Sequence, residues 1–277
     1  MTKNYLWLVL FAATLGCAQN SSIKINYETL TFKGSKKKDD GKRVGVSLRY
    51  KQEQNLYQIH YERTDTNTFQ PPLNKDLKVD KYYFKYTREI DAMQALSLSY
   101  ATIDDNIMKQ TDGGYIYGLG YRYGDFKVAQ YVSDYRHFNV YQSEMGYTFK
   151  RQFGEFRTSA TVVGKYIHLQ DKESNTFSQN AKTDYFTQGV KLHALYEGYH
   201  LGAGAFFGKR IFAVMNDGFK VQHHAMEFNK TYMCGIGKHF EWGSLHLKYV
   251  YQEAEEIPLH NKGVEVQNII VQAEYRF

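Results

Sequence analysis

The chain has 277 residues and a formal net charge of +6, and with 23% charged residues it cannot form a bundle of transmembrane helices. Its 25 Tyr and 18 Phe are too many for a disordered chain, and 22 Gly beside only 3 Pro point to β-strands. Two Cys exclude a disulfide scaffold and a Cys-based zinc centre.

The first residues read as a signal peptide. Lys3 supplies a positive start, and Tyr5 to Leu15 is an apolar run too short to span a bilayer. Small residues at Gly16 and Ala18 place cleavage after Ala18, so residues 1–18 are the signal peptide and 19–277 the mature domain. Leu15-Gly16-Cys17 partly resembles a bacterial lipobox, in which the Cys would be acylated, but Thr14 stands where that pattern has Leu. Loss of Cys17 with the signal peptide is the expectation. After Gln19 no run approaches 18 apolar residues. The mature chain is therefore either an exported soluble protein or a transmembrane barrel.

Period-two alternation predicts fourteen strands, at 22–33, 42–52, 55–65, 78–88, 92–103, 113–123, 125–135, 138–150, 155–169, 184–196, 199–211, 223–239, 243–254 and 264–277. Most have ten or more residues, the length of a tilted membrane strand. Short links near 53–54, 90–91, 124, 152–154, 198 and 241–242 alternate with longer polar ones at 34–41, 66–77, 104–112, 170–183, 212–222 and 255–263. The link at 136–137 is shorter than this pattern wants. Pro71, Pro72 and Pro258 all fall in long links, as residues without a ladder donor should. Twelve or sixteen strands remain possible, because Ile211 to Met215 runs on apolar past its strand.

One face of each strand is apolar. Tyr115, Tyr117, Leu119, Tyr121 and Tyr123 oppose Gly118, Gly120 and Arg122, and Leu245, Leu247, Tyr249 and Tyr251 oppose His246, Lys248 and Gln252. Val190, Leu192, Ala194 and Tyr196 likewise oppose Lys191 and His193. Tyr at both ends of such faces suits two lipid–water interfaces better than a soluble sandwich. The end of the chain, Ile269-x-Val271-x-Ala273-x-Tyr275-x-Phe277, resembles the terminal strand of Gram-negative outer-membrane β-barrel proteins. The resemblance implies an all-β, antiparallel up-and-down transmembrane barrel in the outer membrane. It also implies that Ile269, Val271, Tyr275 and Phe277 form the signal read by the barrel-assembly machinery. In size the chain is similar to the fourteen-stranded monomeric porins, so a monomer is slightly favoured.

If the apolar face meets lipid, the other lines the interior. Lys24, Arg49, Lys51, Lys85, Arg122, Arg157, Lys165, Lys191, Lys248 and Arg276 fall there, against Glu28, Glu62, Glu144 and Glu274. A fourteen-stranded barrel has a radius of roughly 13 Å and keeps an aqueous lumen unless loops fold in. A basic lumen draws anions. Pore-lining Arg49, Lys85, Arg122, Arg157, Lys165, Lys191, Lys248 and Arg276 would then favour them; alternatively these bases pair with interior acids and only hold the wall. The pairs Gly118/Gly120, Gly202/Gly204 and Gly235/Gly237 would widen the lumen or receive an inward aromatic. The charged run Lys36 to Arg43 reads as a solvated external loop, with lipopolysaccharide phosphates as a second reading. The loop 170–183 is a candidate constriction.

Other motifs carry less. Gly118-x-Gly120 and Gly202-x-Gly204 do not complete a dinucleotide fingerprint. His223 and His224 point to opposite faces if they sit in a strand. His193, His200, His239 and His246 read as separate wall residues, so no metal and no cofactor is expected. Ser47, Ser97, Ser99 and Ser143 stand in no context resembling the outer-membrane phospholipase, deacylase or protease families, and no catalytic residue is assigned. Cys234 shares the apolar face of Tyr232 and Ile236 and should be an inert, buried thiol. The reading is of a porin-like channel for passive diffusion of small hydrophilic solutes, possible anion preference included, with lipid and lipopolysaccharide around it and no role in nucleic-acid binding. The alternatives are a plugged structural or adhesin-type barrel and, further off, a barrel hydrolase.

Overall fold

A computed structural model describes residues 21–107, 110–173 and 180–277. The expected signal peptide, its cleavage site and Cys17 lie outside these residues, as do residues 174–179 of the candidate constriction at 170–183.

Fourteen strands close into one antiparallel barrel, each beside its sequence neighbour. They are β1 (Ser21–Lys33), β2 (Lys38–Gln52), β3 (Asn55–Thr68), β4 (Leu77–Glu89), β5 (Gln94–Asp105), β6 (Gly114–Tyr123), β7 (Phe126–Asp134), β8 (Phe138–Phe153), β9 (Phe156–Asp171), β10 (Asp184–Tyr196), β11 (Tyr199–Arg210), β14 (Met226–Phe240), β15 (Gly243–Glu256) and β16 (Asn261–Arg276). Two short strands, β12 (Val214–Met215) and β13 (Lys220–Val221), pair only with each other. The predicted count, topology and alternation agree with this barrel. Among the described residues no helix is long and apolar enough to cross a membrane.

Closure falls between the chain ends. β1 pairs with β16 from Ser22↔Arg276 to Lys33↔Glu265, and Ser21 and Phe277 exchange both backbone hydrogen bonds at 3.1–3.2 Å. No strand edge is left for lipid, where an unpaired peptide group would cost several kcal/mol. The rim that holds Ser21 and Phe277 carries the tight turns at 53–54, 90–93, 124–125, 154–155, 197–198 and 241–242. The other rim carries the links at 34–37, 69–76, 106–113, 135–137, 172–183, 211–225 and 257–260.

The side-chain pattern follows from the pleat, which sends alternate residues to opposite faces. The outer wall is aliphatic at mid-height, where Leu98 pairs with Leu119 and Ile236 with Leu247, all about half exposed. Towards the turn rim it becomes aromatic, with Tyr123, Phe126, Phe153, Tyr196, Tyr199 and Tyr275 on the surface. Towards the other rim Tyr82, Tyr115, Tyr166, Phe186 and Tyr232 form a second band. This aliphatic belt between aromatic girdles is the profile of a bilayer. Cys234 sits on this outer face and is exposed, not buried in protein, because the apolar face it shares is turned to lipid.

Three expectations about connections fail for one reason: the segment is folded inward or paired. Lys38 already belongs to β2 and is 1% exposed, and Arg43 is buried beside Glu28, so most of the charged run is strand with two buried bases, while Lys36, Asp39, Asp40 and Lys42 stay exposed. Residues 211–225 are not an external polar loop, and β14 begins at Met226 instead of 223. They turn into the barrel, where Ile211, Phe212, Ala213, Val214, Val221 and Ala225 pack against the inner face of the wall. The Phe212 ring packs at a tilt against Tyr135 (5.7 Å) and Phe138 (5.1 Å). The apolar run at 211–215 is thus the lining of an internal core. Burying each large side chain there contributes about 1.5–3 kcal/mol.

Inner-face glycines seat aromatic rings. A Cβ at Gly118 would lie 2.6 Å from the Tyr131 ring, and one at Gly189 would lie 2.3 Å from the Phe206 ring. Gly189→Ala is therefore expected to destabilise the barrel by about 1–3 kcal/mol through overpacking, measured as a lower urea midpoint for loss of the heat-modifiable gel band. Gly154→Ala, where an added Cβ meets nothing within 4 Å but the backbone φ of +60° is strained, tests backbone strain separately.

Candidate functional site

The inward segment begins at a bulge. Between Phe207 and Arg210 the β11–β14 register shifts, and Gly208 adopts φ +93°, a conformation that favours glycine. The chain then runs inward through Ile211, makes the β12–β13 hairpin, and returns to the wall at Met226.

Because the hairpin is only two residues deep on each side, its remaining peptide groups need partners from the wall. The wall supplies them with side chains. Gln142 donates to the Val214 carbonyl at 2.8 Å and accepts from the Val214 N–H at 2.8 Å. Lys165 Nζ donates to the same carbonyl at 3.0 Å and also pairs with Glu144. Lys81 Nζ donates to the Val221 carbonyl at 3.1 Å, and the Val221 N–H donates to the Tyr83 hydroxyl at 3.2 Å. At the tip, Lys85 Nζ donates to the Asp217 carbonyl at 3.0 Å and Lys127 pairs with the Asp217 carboxylate.

Beneath the segment, towards the turn rim, lies a cavity of about 570 Å³. Its lining carries six bases, Lys24, Arg43, Arg49, Arg210, Lys220 and Lys248, and three acids, Glu28, Glu62 and Glu274. A buried network holds part of this charge. Arg43 meets Glu28 at 2.7 Å and Glu62 at 3.3 Å, Lys81 meets Glu62 at 2.9 Å, and Lys220 of the inward segment meets Glu28 at 3.6 Å. Asn268 donates to Glu28 at 2.7 Å. Among the described residues Lys24, Arg49, Arg210 and Lys248 form no ion pair.

The eight bases singled out in the sequence are spread over the inner wall. Arg49 and Lys248 line the cavity, and Lys248 donates to Gln272 at 2.6 Å. Lys85 and Lys165 hold the inward segment instead of facing open water. Lys191 lies 5.8 Å from the Phe206 ring. Arg157 lines a separate recess of about 410 Å³ with His193 and His200. Arg276 is beside Glu274 (3.9 Å) and His239 (3.5 Å). Arg122 follows Gly118 and Gly120 on the inner face of β6. Ile269, Val271, Tyr275 and Phe277 are all exposed on the outer wall.

Lys81, Arg43, Lys127, Lys220 and Arg210 complete the interior and were missed. Lys81 is legible, since it shares a period-two face with Val79, Tyr83 and Lys85; Arg43 closes the charged run read as a loop although the predicted second strand starts at 42, and Lys220 falls in the predicted link 212–222. The histidines also differ from expectation. His193 and His200 approach to 3.0 Å between ring nitrogens, and His246 lies 5.4 Å from both His200 and His239 between ring centroids. They form one cluster across β10, β11, β14 and β15, yet among the described residues no group of three is posed to hold a metal ion. His223 and His224 lie in the inward segment, where non-strand backbone brings their rings to 4.0 Å.

Removing the acid at the centre of the network tests its weight. Glu62→Ala leaves buried Lys81 without its carboxylate and Arg43 with Glu28 alone, and is expected to destabilise the barrel by about 3–5 kcal/mol. Combining it with Lys81→Met is expected to recover part of that loss, read as a coupling in a double-mutant cycle of unfolding free energies.

No protein-family model matches the sequence, and no curated protein sequence matches it either. Solved structures do resemble the fold. The outer membrane protein Omp33 of Acinetobacter baumannii is 9% identical, with 94% of this chain and 100% of that chain covered, at a TM-score of 0.51. The toluene transporter TbuX of Ralstonia pickettii is 10% identical over 96% of this chain and 92% of that one, at 0.58. The toluene transporter TodX of P. putida is 8% identical over the same shares, at 0.55. Identity this low speaks for the fold alone: the chain shares the closed antiparallel β-barrel fold of these outer-membrane proteins.

Proposed function

We propose that this protein is an outer-membrane channel for small hydrophilic anions, with residues 211–225 as the element that closes its lumen. The observation that carries the reading is the cavity under that segment, where six bases face three acids. A low-dielectric chamber of this sign concentrates anions and repels cations. The inward segment is held by side chains from four wall strands, β4, β7, β8 and β9, rather than by a continuous ladder, so its release needs no strand to break. TbuX and TodX are transporters of toluene by name. They support a transport role over an enzymatic one, while the charged lining here favours a polar solute. The terminal strand fits the part of assembly signal, and lipid with lipopolysaccharide is the surrounding expected of such a barrel.

A second reading, a permanently closed barrel acting through its rim, draws on the apolar packing of Phe212 with Tyr135 and Phe138. Planar-bilayer recording separates the two. The channel reading expects rare openings of the full chain, and frequent large openings when 212–223 are replaced by a short Gly-Ser link. A folded variant with no conductance supports the closed barrel.

Selectivity is tested in the same bilayer under a salt gradient. Arg49→Glu with Lys248→Glu reverses two of the bases that form no ion pair and is expected to move the reversal potential towards cations. An unchanged potential would remove these two residues from the selectivity assignment.

A further inference from the structure

Arg210 is the one base in the cavity lining whose surroundings are almost wholly apolar. The residue is fully buried, and its guanidinium is sandwiched 5.8 Å from the Phe206 ring and 5.6 Å from the Phe228 ring. Nη2 donates to the Thr231 hydroxyl, which also accepts from Gln252 at 3.0 Å. Nε and Nη1 have no hydrogen-bond partner among the described residues, and no carboxylate there pairs with the group. A guanidinium keeps its proton in a protein, so this is a permanent buried cation with open donors. Two aromatic faces offset part of its charge but take none of its N–H bonds.

The rest of the chamber shows what would complete it. His223 Nε2 and both ring nitrogens of His224 are buried and also lack partners among the described residues, and both residues line the same cavity. Around them stand Leu30, Phe32, Phe228, Val250 and Val266. Unlike Lys24, Arg49 and Lys248, which also form no ion pair, Arg210 is buried among apolar side chains; at this end of the chamber it calls for one negative charge, and the apolar lining calls for a hydrocarbon body beside it.

We infer that the chamber beneath the inward segment is a binding site for a small organic monocarboxylate, whose carboxylate is taken by Arg210 and whose apolar body lies against Phe32, Phe228, Val250 and Val266. The imidazoles of His223 and His224 add further donors on the segment side. The site deepens the anion-channel reading by naming a solute class, and rests on that reading only for its link to transport. Binding itself involves no flux, so it is measured in detergent, apart from any conductance.

Benzoate is the probe, titrated by calorimetry into the purified full chain. Saturation at one equivalent is expected. Benzyl alcohol, with the same ring and no charge, should bind at least about tenfold more weakly, because the charged hydrogen bonds are lost. Arg210→Met, folded by its heat-modifiable band, should lose at least as much benzoate affinity. Equal binding of benzoate and benzyl alcohol, no saturable binding, or unchanged affinity in folded Arg210→Met would each overturn the inference. The alcohol comparison uses the unaltered chain and decides the matter even where Arg210→Met does not fold.

Discussion

The structure depends on one constraint: in a bilayer every peptide group must find its partner inside the protein. Fourteen strands meet it only because β1 and β16 join, with Ser21 and Phe277 exchanging the last pair of bonds. Once the ladder is closed, the pleat divides each strand into a lipid side and an inner side. The lipid side has no choice but to be apolar. The inner side is free to carry charge, and nearly every interior feature uses that freedom.

The inward segment shows how. A loop hairpin of two-residue strands cannot satisfy its own backbone, and at this depth open water is scarce. Gln142, Lys165, Lys81 and Tyr83 replace the missing ladder by bonding to Val214 and Val221. The same lysines need acids, so Glu144 and Glu62 stand beside them. The segment, the wall lysines and the wall acids are therefore one system. Apolar packing supplies its cohesion at the loop rim, and ion pairs set its position below.

This arrangement divides the interior charge into two populations. Bases such as Arg43, Lys81 and Lys165 are consumed by structure: each is buried with an acid and holds wall or segment. Lys24, Arg49, Lys248 and Arg210 form no ion pair among the described residues and face the chamber. A basic excess counted along the sequence mixes the two, although only the second can act on a solute. Lys85 and Lys165, read from the sequence as pore lining, belong to the first by position.

Alternation along single strands was enough to read the barrel, its strand number, its tight turns and the lipid-facing set from Tyr115 to Tyr275. These features are local: period two and turn chemistry act within about fifteen residues, and lipid imposes the same demand on every strand. What only the tertiary structure decided is long-range. The run from Ile211 to Met215 is apolar whether it extends a strand or fills a lumen, and Lys38 and Arg43 look like loop charges until Met226 and Glu28 are beside them. His193, His200, His239 and His246 meet only because four strands lie in register across the wall. The interior of a barrel is built from residues far apart in the chain, so its contacts follow from closure and register, which no single strand encodes.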